Sequence, residues 1–493
     1  MSKPASRRIV DGFLPYEIAR FGTPLAVGMA LQTTFNLVDA YLVAQLPASE
    51  VGAAIGALGL CDQIAALGTI VSYGVSTATA ALLSQQRGAG DEAAVQRTAW
   101  QSLLVVGALS LVFAFIGVAL AGVIVEDLVG AKGEVAAVAT RYLRVIVGGS
   151  FSIFFLLQLT SIMRALGSAK TPVALLVTGN VLNVVFAIVA IYGPGPSPAL
   201  FRWAAPVAEA LHVPRMGMVG AAWATILART LVLIPIVVVL VRRFRIVRPP
   251  LGARGPDRRE LGRLLGIAWP SSAQFVIRIL GMLLVNSLVA RYFTTQEDQT
   301  ATTAMGLVFR LDTMALFVAM GWGSAAQTFV GQNLGAGRPY RAVRSGWITA
   351  GYDGLTNVLL LVAVVVAGES ILRIFDNEAG PVGIALAYLR TVAPSYVALG
   401  IGVVLGNAMA GAGATRTTLL TDVGVILGFQ FPVSVVAVAV CGAQMSTLFH
   451  LVAATNLVGA VAYAVVYGRG SWLPSHRIAS AETAEGDAVQ TAG

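Results

Sequence analysis

The stretch Gln85-Gln86-Arg87-Gly88-Ala89-Gly90 has a counterpart in the second half of the chain, Gln332-Asn333-Leu334-Gly335-Ala336-Gly337, which lies 247 positions later (85 to 332). The same shift aligns two further pairs, Gly59 with Gly306 and Trp100 with Trp347. An internal repeat of this length in a hydrophobic chain predicts a duplicated membrane bundle, with a binding site between its two halves.

The composition indicates that lipid is the main solvent of this chain. Of its 493 residues, 57% are hydrophobic and 12% are charged, whereas soluble domains carry roughly 25% charged residues. The net charge of +9 does not indicate a nucleic-acid-binding face, because the basic residues lie in short breaks between apolar runs. We therefore expect a lipid bilayer as partner and no nucleic acid.

Twelve apolar runs are long enough to cross a bilayer, so the sequence predicts an all-α integral membrane protein with twelve transmembrane helices. Six spans per half is an even number, so both halves begin on the same side of the membrane. The repeats are then parallel and related by a pseudo-twofold axis along the membrane normal. The predicted spans are approximately 16–46, 51–84, 97–125, 136–163, 172–193, 217–241, 264–293, 300–331, 343–368, 380–409, 418–441 and 443–467.

The chain divides into four predicted parts: an N-lobe (1–241), a basic cytoplasmic linker (242–263), a C-lobe (264–467) and a disordered cytoplasmic tail (468–493). Most of the 33 Lys and Arg residues face the cytoplasm if both termini are placed there. This predicts a multi-pass protein of the plasma membrane, the inner membrane in a bacterium. The insertion at 193–216 contains a segment, Phe201 to Val213, that is either a short amphipathic helix or a flexible loop.

Several motifs occur in a fixed order and resemble those of the multidrug and toxic compound extrusion (MATE) transporters. They are the two Gly-Ala-Gly stretches, the run Arg164-Ala165-Leu166-Gly167-Ser168-Ala169-Lys170-Thr171-Pro172, and the run Gly217-Met218-Val219-Gly220-Ala221-Ala222-Trp223-Ala224-Thr225. The resemblance extends from Pro24 to about Tyr467. Because small residues allow helices to approach closely in lipid, we interpret the glycines as structural.

Asp39 is the strongest functional candidate, because an acid in the middle of a span costs at least about 2.5–3.5 kcal/mol and is usually functional. It follows Pro24, which can kink its helix. The carboxylate would take up a proton or bind Na⁺ together with neutral oxygens. The alternative is a packing role, in which Asn36 or a backbone donor holds the acid.

The resemblance to MATE transporters implies that Asp39 is the coupling residue of the N-lobe, with an Asn and an Asp on span five and a Thr on span six. Asn183 and Thr225 match, but Ala187 stands where the second acid is expected, which weakens a sodium site built on two acids. Asn180 shares a helix face with Asn183, so an interhelical hydrogen bond is the alternative role. The predicted ion-coupling set is Asp39, Asn36, Asn180, Asn183 and Thr225; we expect H⁺ or Na⁺ as the coupling ion and no cofactor or resident metal.

The predicted substrate cavity contains Gln32, Arg278, Arg310, Asp312 and Asp353. Arg278 stands where some members of the MATE family carry a cation-binding glutamate. We expect it to pair with Asp312 or Asp353 and to line the C-lobe cavity, the alternative being a fixed ion pair. Arg310 and Asp312 are two positions apart and point to different sides of a helix. Further candidates are Gln63, Gln274 and His450.

These residues favour a secondary antiporter that exchanges H⁺ or Na⁺ for small amphipathic organic compounds by alternating access of two lobes, as a monomer. A lipid-linked saccharide flippase of related architecture is the alternative transport function, with Arg278 and Arg310 facing its pyrophosphate. An enzyme is not expected, because the sequence contains no HExxH zinc motif, no DDxxD-like cluster and no phosphate-binding GxxxxGK[ST] loop.

Overall fold

The computed structural model describes residues 5–244, 255–295, 297–373 and 378–473, and within these ranges the chain forms helices and no strands. The side chains of a few helical residues, which include Asn36, Asp39 and Gln63, lie outside this description. The tail from residue 474 and most of the basic linker also lie outside it.

In the part of the chain that the structure describes, twelve long helices form the fold, six in each half. The N-lobe consists of α1 (Leu14–Ala44), α2 (Ala48–Gly88), α3 (Glu92–Ala119), α4 (Gly133–Ala165), α5 (Lys170–Tyr192) and α6 (Met218–Arg243). The C-lobe consists of α7 (Arg258–Tyr292), α8 (Thr300–Gly335), α9 (Pro339–Arg373), α10 (Ala379–Gly411), α11 (Thr415–Val440) and α12 (Met445–Gly468). Within the described residues, α2 to α12 are long and apolar enough to cross a membrane, and α1, with 31 residues, completes the predicted twelve.

Three of these helices are irregular. The α4 helix is interrupted at Gly149, and α10 contains a short 3-10 turn, Ala393–Ser395. In α11, the segments Val423–Gln430 and Val436–Val440 have π-helical hydrogen bonding, which widens the helix. The insertion between α5 and α6 contains a short helix, Ala204–Ala210, within the segment for which the sequence left a helix and a loop open.

The duplication is visible in how the lobes meet. Helix α1 packs along α8, and α7 packs along α2, as a twofold exchange of the halves requires. The same reciprocity holds at the ends of α2 and α8. Gly88 lies against the backbone of Gln332, and Gly335 lies against the backbone of Gln85, so closely that a Cβ on either glycine would overlap a carbonyl group. The paired Gly-Ala-Gly stretches therefore let α2 and α8 cross in direct backbone contact.

Two glutamine side chains bridge the lobes at this crossing. The Gln85 amide donates to the carbonyl oxygen of Gly411 at 3.0 Å, and the Gln332 amide donates to the carbonyl oxygen of Ala165 at 2.7 Å. Each glutamine thus binds the C-terminal end of a helix in the opposite lobe. Since the two glutamines are repeat equivalents, the closure is symmetric.

The lobes are also joined by the segments that precede α1 and α7. The short helix Ala5–Asp11 is held by the C-lobe: Arg338 forms an ion pair with Asp11 at 3.0 Å, and Arg341 donates to the Gly12 carbonyl at 2.5 Å. The described end of the linker is held by the N-lobe, where Gln101 on α3 donates to the Gly255 carbonyl and accepts from the amide of Asp257. We call these two attachments the reciprocal clasp.

The linker is shorter than predicted, because α6 ends at Arg243 and α7 already begins at Arg258. Asp257 caps α7 by accepting hydrogen bonds from two backbone amides in its first turn. Helix formation therefore extends into the predicted range 242–263.

Candidate functional site

A cavity with a volume of about 180 Å³ lies inside the C-lobe. It is enclosed by α7, α8, α10, α11 and α12, and most of its wall is apolar. Its ionisable wall residues are Arg278, Asp312, Asp422, Tyr388, Tyr396 and Tyr463. The predicted cavity residues Gln32, Arg310 and Asp353 do not line it.

Arg278 forms an ion pair with Asp422 on α11, and its Nε lies 2.7 Å from the carboxylate. Tyr463 donates to the other oxygen of Asp422 at 2.7 Å, and Gln274 donates to the first at 2.9 Å. The expected pairing of Arg278 with Asp312 or Asp353 is therefore wrong. The partner lies on a helix that packs against α7, and sequence spacing does not reveal which helices are neighbours.

Asp312 has a different set of partners. The hydroxyl groups of Tyr388 and Tyr396, both on α10, donate to its two carboxylate oxygens at 2.6 and 2.5 Å. Asp312 is therefore held between two hydroxyl groups of one neighbouring helix. Arg310, two positions earlier on α8, is exposed.

Asp353 is fully buried where α9 meets α10. The Asn357 amide donates to one of its carboxylate oxygens at 3.0 Å. The same oxygen lies against Gly400, where a Cβ would overlap it. Asp353 therefore contributes to packing between two C-lobe helices rather than to the cavity wall.

In the N-lobe the structure brings the predicted polar residues together in two pairs. Thr225 on α6 donates to the Asn183 side chain on α5 at 3.1 Å. Asn180 donates to Gln32 on α1 at 3.2 Å. These bonds join three helices by the interhelical hydrogen bonding that was the alternative role for the asparagines. The side chains of Asn36 and Asp39, on the same α1 helix, lie outside the described residues.

The remaining candidates fall in different places. Gln274 belongs to the Arg278–Asp422 network, His450 is exposed and contacts the Ser446 carbonyl oxygen at 2.7 Å, and the Gln63 side chain lies outside the described residues. In the described part of the chain, no three His, Cys, Asp or Glu side chains are grouped to hold a metal ion. Asp422 was not among the residues predicted from the sequence, although it is an acid near the start of a predicted span.

Comparisons with known proteins agree with this architecture. The family model MatE matches residues 24–189 and 270–436, one match in each lobe. The Bacillus subtilis (strain 168) protein named "Probable multidrug resistance protein YpnP" is 26% identical over 412 residues, which cover 82% of this chain and 84% of that protein. A Thermotoga maritima protein named "Probable multidrug resistance protein NorM" is 22% identical, with coverage of 86% and 85%.

A solved structure described as the outward-facing conformation of a multidrug resistance MATE family transporter has the same fold, with a TM-score of 0.83. It is 21% identical in sequence, and the superposition covers 95% of this chain and 98% of that one. Twelve helices in two repeats are therefore confirmed as the architecture.

Proposed function

Because this chain belongs to the MATE family of multi-pass membrane transporters, we propose that it is a secondary antiporter that exports amphipathic organic compounds in exchange for H⁺ or Na⁺. The lobes would alternate between two orientations, and the coupling ion would favour one of them. The protein would act as a monomer in the inner membrane with both termini in the cytoplasm. No observation supports the flippase alternative: Arg278 is already paired with Asp422, and Arg310 does not line the cavity.

The observation that carries this proposal is the close contact of the two lobes at one end of the bundle. At the end where α2 and α8 finish, the two helices touch through Gly88 and Gly335. Toward the opposite ends of the same helices, a Cβ built on Gly59 or Gly306 meets no atom within 4 Å. Backbone contact between the lobes at one end is what one of the two access states would require. With the termini inside, this state would face outward.

Asp39 remains our proposed coupling residue. The pairs Thr225–Asn183 and Asn180–Gln32 hold α1, α5 and α6 together and supply neutral oxygens in the same lobe. Since Ala187 replaces the second acid that the family resemblance implies, titration of one carboxylate is the simpler coupling scheme. We therefore favour H⁺ over Na⁺ as the coupling ion.

The test is transport of a cationic dye into proteoliposomes under an imposed pH or sodium gradient. We expect a pH gradient to drive transport in the wild type and Asp39→Asn to abolish the response while dye binding persists. Asp298→Asn, which alters an exposed loop acid, is the matched control and should transport normally. Transport that ignores both gradients, or an Asp39→Asn variant that responds like the wild type, would contradict the proposal.

A further inference from the structure

The two halves of the chain differ in the connection between their fifth and sixth helices. In the C-lobe, α11 ends at Val440 and α12 begins at Met445, so residues 441–444 join them. In the N-lobe, α5 ends at Tyr192 and α6 begins at Met218, so the connection consists of residues 193–217. This segment, the α5–α6 insertion, is therefore much longer than the connection that joins the equivalent helices of the other half.

The α5–α6 insertion lies at the depth where α5 leaves the membrane. Helix α5 has 23 residues and is about 34 Å long, whereas the hydrocarbon core of a bilayer is about 30 Å thick. Because α1 to α5 make five crossings, the end of α5 lies at the membrane boundary opposite the short helix Ala5–Asp11. The insertion folds back onto this end: Phe201 stacks on Tyr192 with 5.7 Å between the ring centroids, and the Met216 amide donates to the Ala190 carbonyl oxygen.

The helix Ala204–Ala210 within this insertion has a closed C-terminal end. The amide of Val213 donates to the carbonyl oxygen of Ala208 at 2.9 Å, and the amide of His212 donates to that of Glu209 at 3.1 Å. His212 has a φ of 53°, so these bonds form a Schellman motif with a left-handed residue just after the helix. The carbonyl groups at the helix end thus have partners within the segment, which backbone in contact with lipid requires.

One face of this helical segment packs on the N-lobe. Phe201, Ala204 and Ala208 are buried in a hydrophobic cluster with residues from the ends of α1 and α5. Further along the insertion, Arg215 forms an ion pair with Glu50 at the start of α2, with 3.1 Å between nitrogen and oxygen. The insertion is therefore fixed to three N-lobe helices on one side of the membrane.

A second face of the segment is apolar and exposed. Its residues recur at intervals of three and four positions, so they form one stripe along the helix. The members of this apolar stripe are Leu200, Trp203, Val207 and Leu211, with exposed fractions of 75%, 44%, 38% and 65%. Arg202 and Glu209 are also exposed, and their positions fall on the opposite side of a helical wheel. The segment therefore presents one apolar and one polar face to its surroundings.

We infer that the apolar stripe is inserted into the lipid leaflet opposite the N-terminal segment and anchors the N-lobe there. Amphipathic helices at a membrane boundary bury their apolar face about 5–10 Å deep, between the head groups and the acyl chains. Trp203 fits this depth, because tryptophan is enriched at the interface. The connection 441–444 has no room for such a segment, so the anchor belongs to one lobe only. This inference does not depend on the proposed transport function.

The charges of the insertion indicate how the stripe is held in the leaflet. Its three charged residues are Arg202, Glu209 and Arg215, and Arg215 is paired with Glu50 of α2. Arg202 and Glu209 have opposite charges, so the insertion has no surplus of basic residues to attract anionic lipids. Burial of apolar side chains is therefore the driving force, and a bilayer of zwitterionic lipid is sufficient.

The depth of single spin labels tests this inference. Labels at Val207→Cys and Leu211→Cys report on the stripe, and labels at Arg202→Cys and Glu209→Cys are the matched controls from the same segment. Each is introduced alone into the full chain without its two native cysteines, in phosphatidylcholine nanodiscs. The readout is the ratio of collisions with oxygen, which concentrates among acyl chains, to collisions with a water-soluble nickel chelate. We expect this ratio to be at least about fivefold higher for the stripe labels than for the controls.

All four positions are exposed, so the labels remove no buried contact; if one stripe variant does not fold, Leu200→Cys replaces it. Adding phosphatidylglycerol should leave the ratios unchanged. Equal access of the nickel chelate to stripe and control labels would place the stripe in water and overturn the inference. Stripe labels that neither reagent reaches would also overturn it, because a protein surface, such as a second copy of this chain, would then cover the stripe.

Discussion

Replacing Gly335 with alanine should weaken the closed state of the lobes. A Cβ at this position would lie 2.8 Å from the carbonyl carbon of Gln85 and 3.0 Å from the amide nitrogen of Ala89, and it would overlap the Gln85 oxygen. Ordinary contacts begin at 3.4 Å, so α2 and α8 must separate by at least 0.6 Å (2.8 to 3.4). Since the neighbours are backbone atoms, no side chain can rotate out of the way.

Overpacking of this kind typically costs about 1–3 kcal/mol. Only the closed state brings the two backbones together, so the whole cost falls on that state. The ratio of closed to open molecules should then fall by about 5- to 150-fold.

Spin labels at Arg97→Cys on α3 and Arg344→Cys on α9 would measure this shift, in a background without the two native cysteines. Both positions are exposed and are repeat equivalents (97 to 344). We expect a longer label-to-label distance to gain population in Gly335→Ala. Gly306→Ala is the control, because it makes the same change on the same helix where a Cβ meets no atom. Identical distance distributions for the two folded variants would refute the reasoning.

Three further predictions concern the polar contacts of the lobes. Asp422→Asn leaves the Arg278 guanidinium with neutral partners only, and should destabilise the protein by about 3–5 kcal/mol, seen as a lower melting temperature in detergent; an unchanged melting temperature would contradict the role of the pair. Tyr396→Phe removes one of the two hydroxyl groups that donate to Asp312, and should lower the free energy of unfolding by about 1.5–3 kcal/mol, again seen as a lower melting temperature. A loss below about 0.5 kcal/mol, the size expected of a surface substitution, would argue against this bond. Gln332→Leu removes an interlobe donor and should weaken the closed state by about 1–3 kcal/mol. The longer spin-label distance should then gain population, as in the glycine variant. An unchanged distance distribution would show that this bond does not hold the lobes closed.

The sequence predicted the fold well because the duplication fixes how many helices there are and how the halves are related. It also predicted that the Gly-Ala-Gly stretches are structural, and the contacts of Gly88 and Gly335 give the physical reason. It did not predict which helix faces meet. Arg278 was therefore assigned to acids on α8 and α9, although the acid that binds it is Asp422 on α11.

The contact of Tyr388 and Tyr396 with Asp312 was not predicted for the same reason, since the sequence does not show which helix faces meet. Tyr388 and Tyr396 lie on either side of the short 3-10 turn that interrupts α10, and their hydroxyl groups both donate to Asp312. Nothing in the spacing of the sequence indicates this interruption, apart from a proline in a predicted span.

The reciprocal clasp has a consequence for how the two halves of the chain stay together. Each half has a segment that is bound by the other half: Ala5–Asp11 is bound by Arg338 and Arg341, and the segment before α7 is bound by Gln101. Domain-swapped dimers exchange equivalent segments in the same way, and neither of their copies is complete alone. In this protein the covalent connection between the halves keeps the two exchanged segments at high effective concentration, which favours exchange within one chain over exchange between two chains.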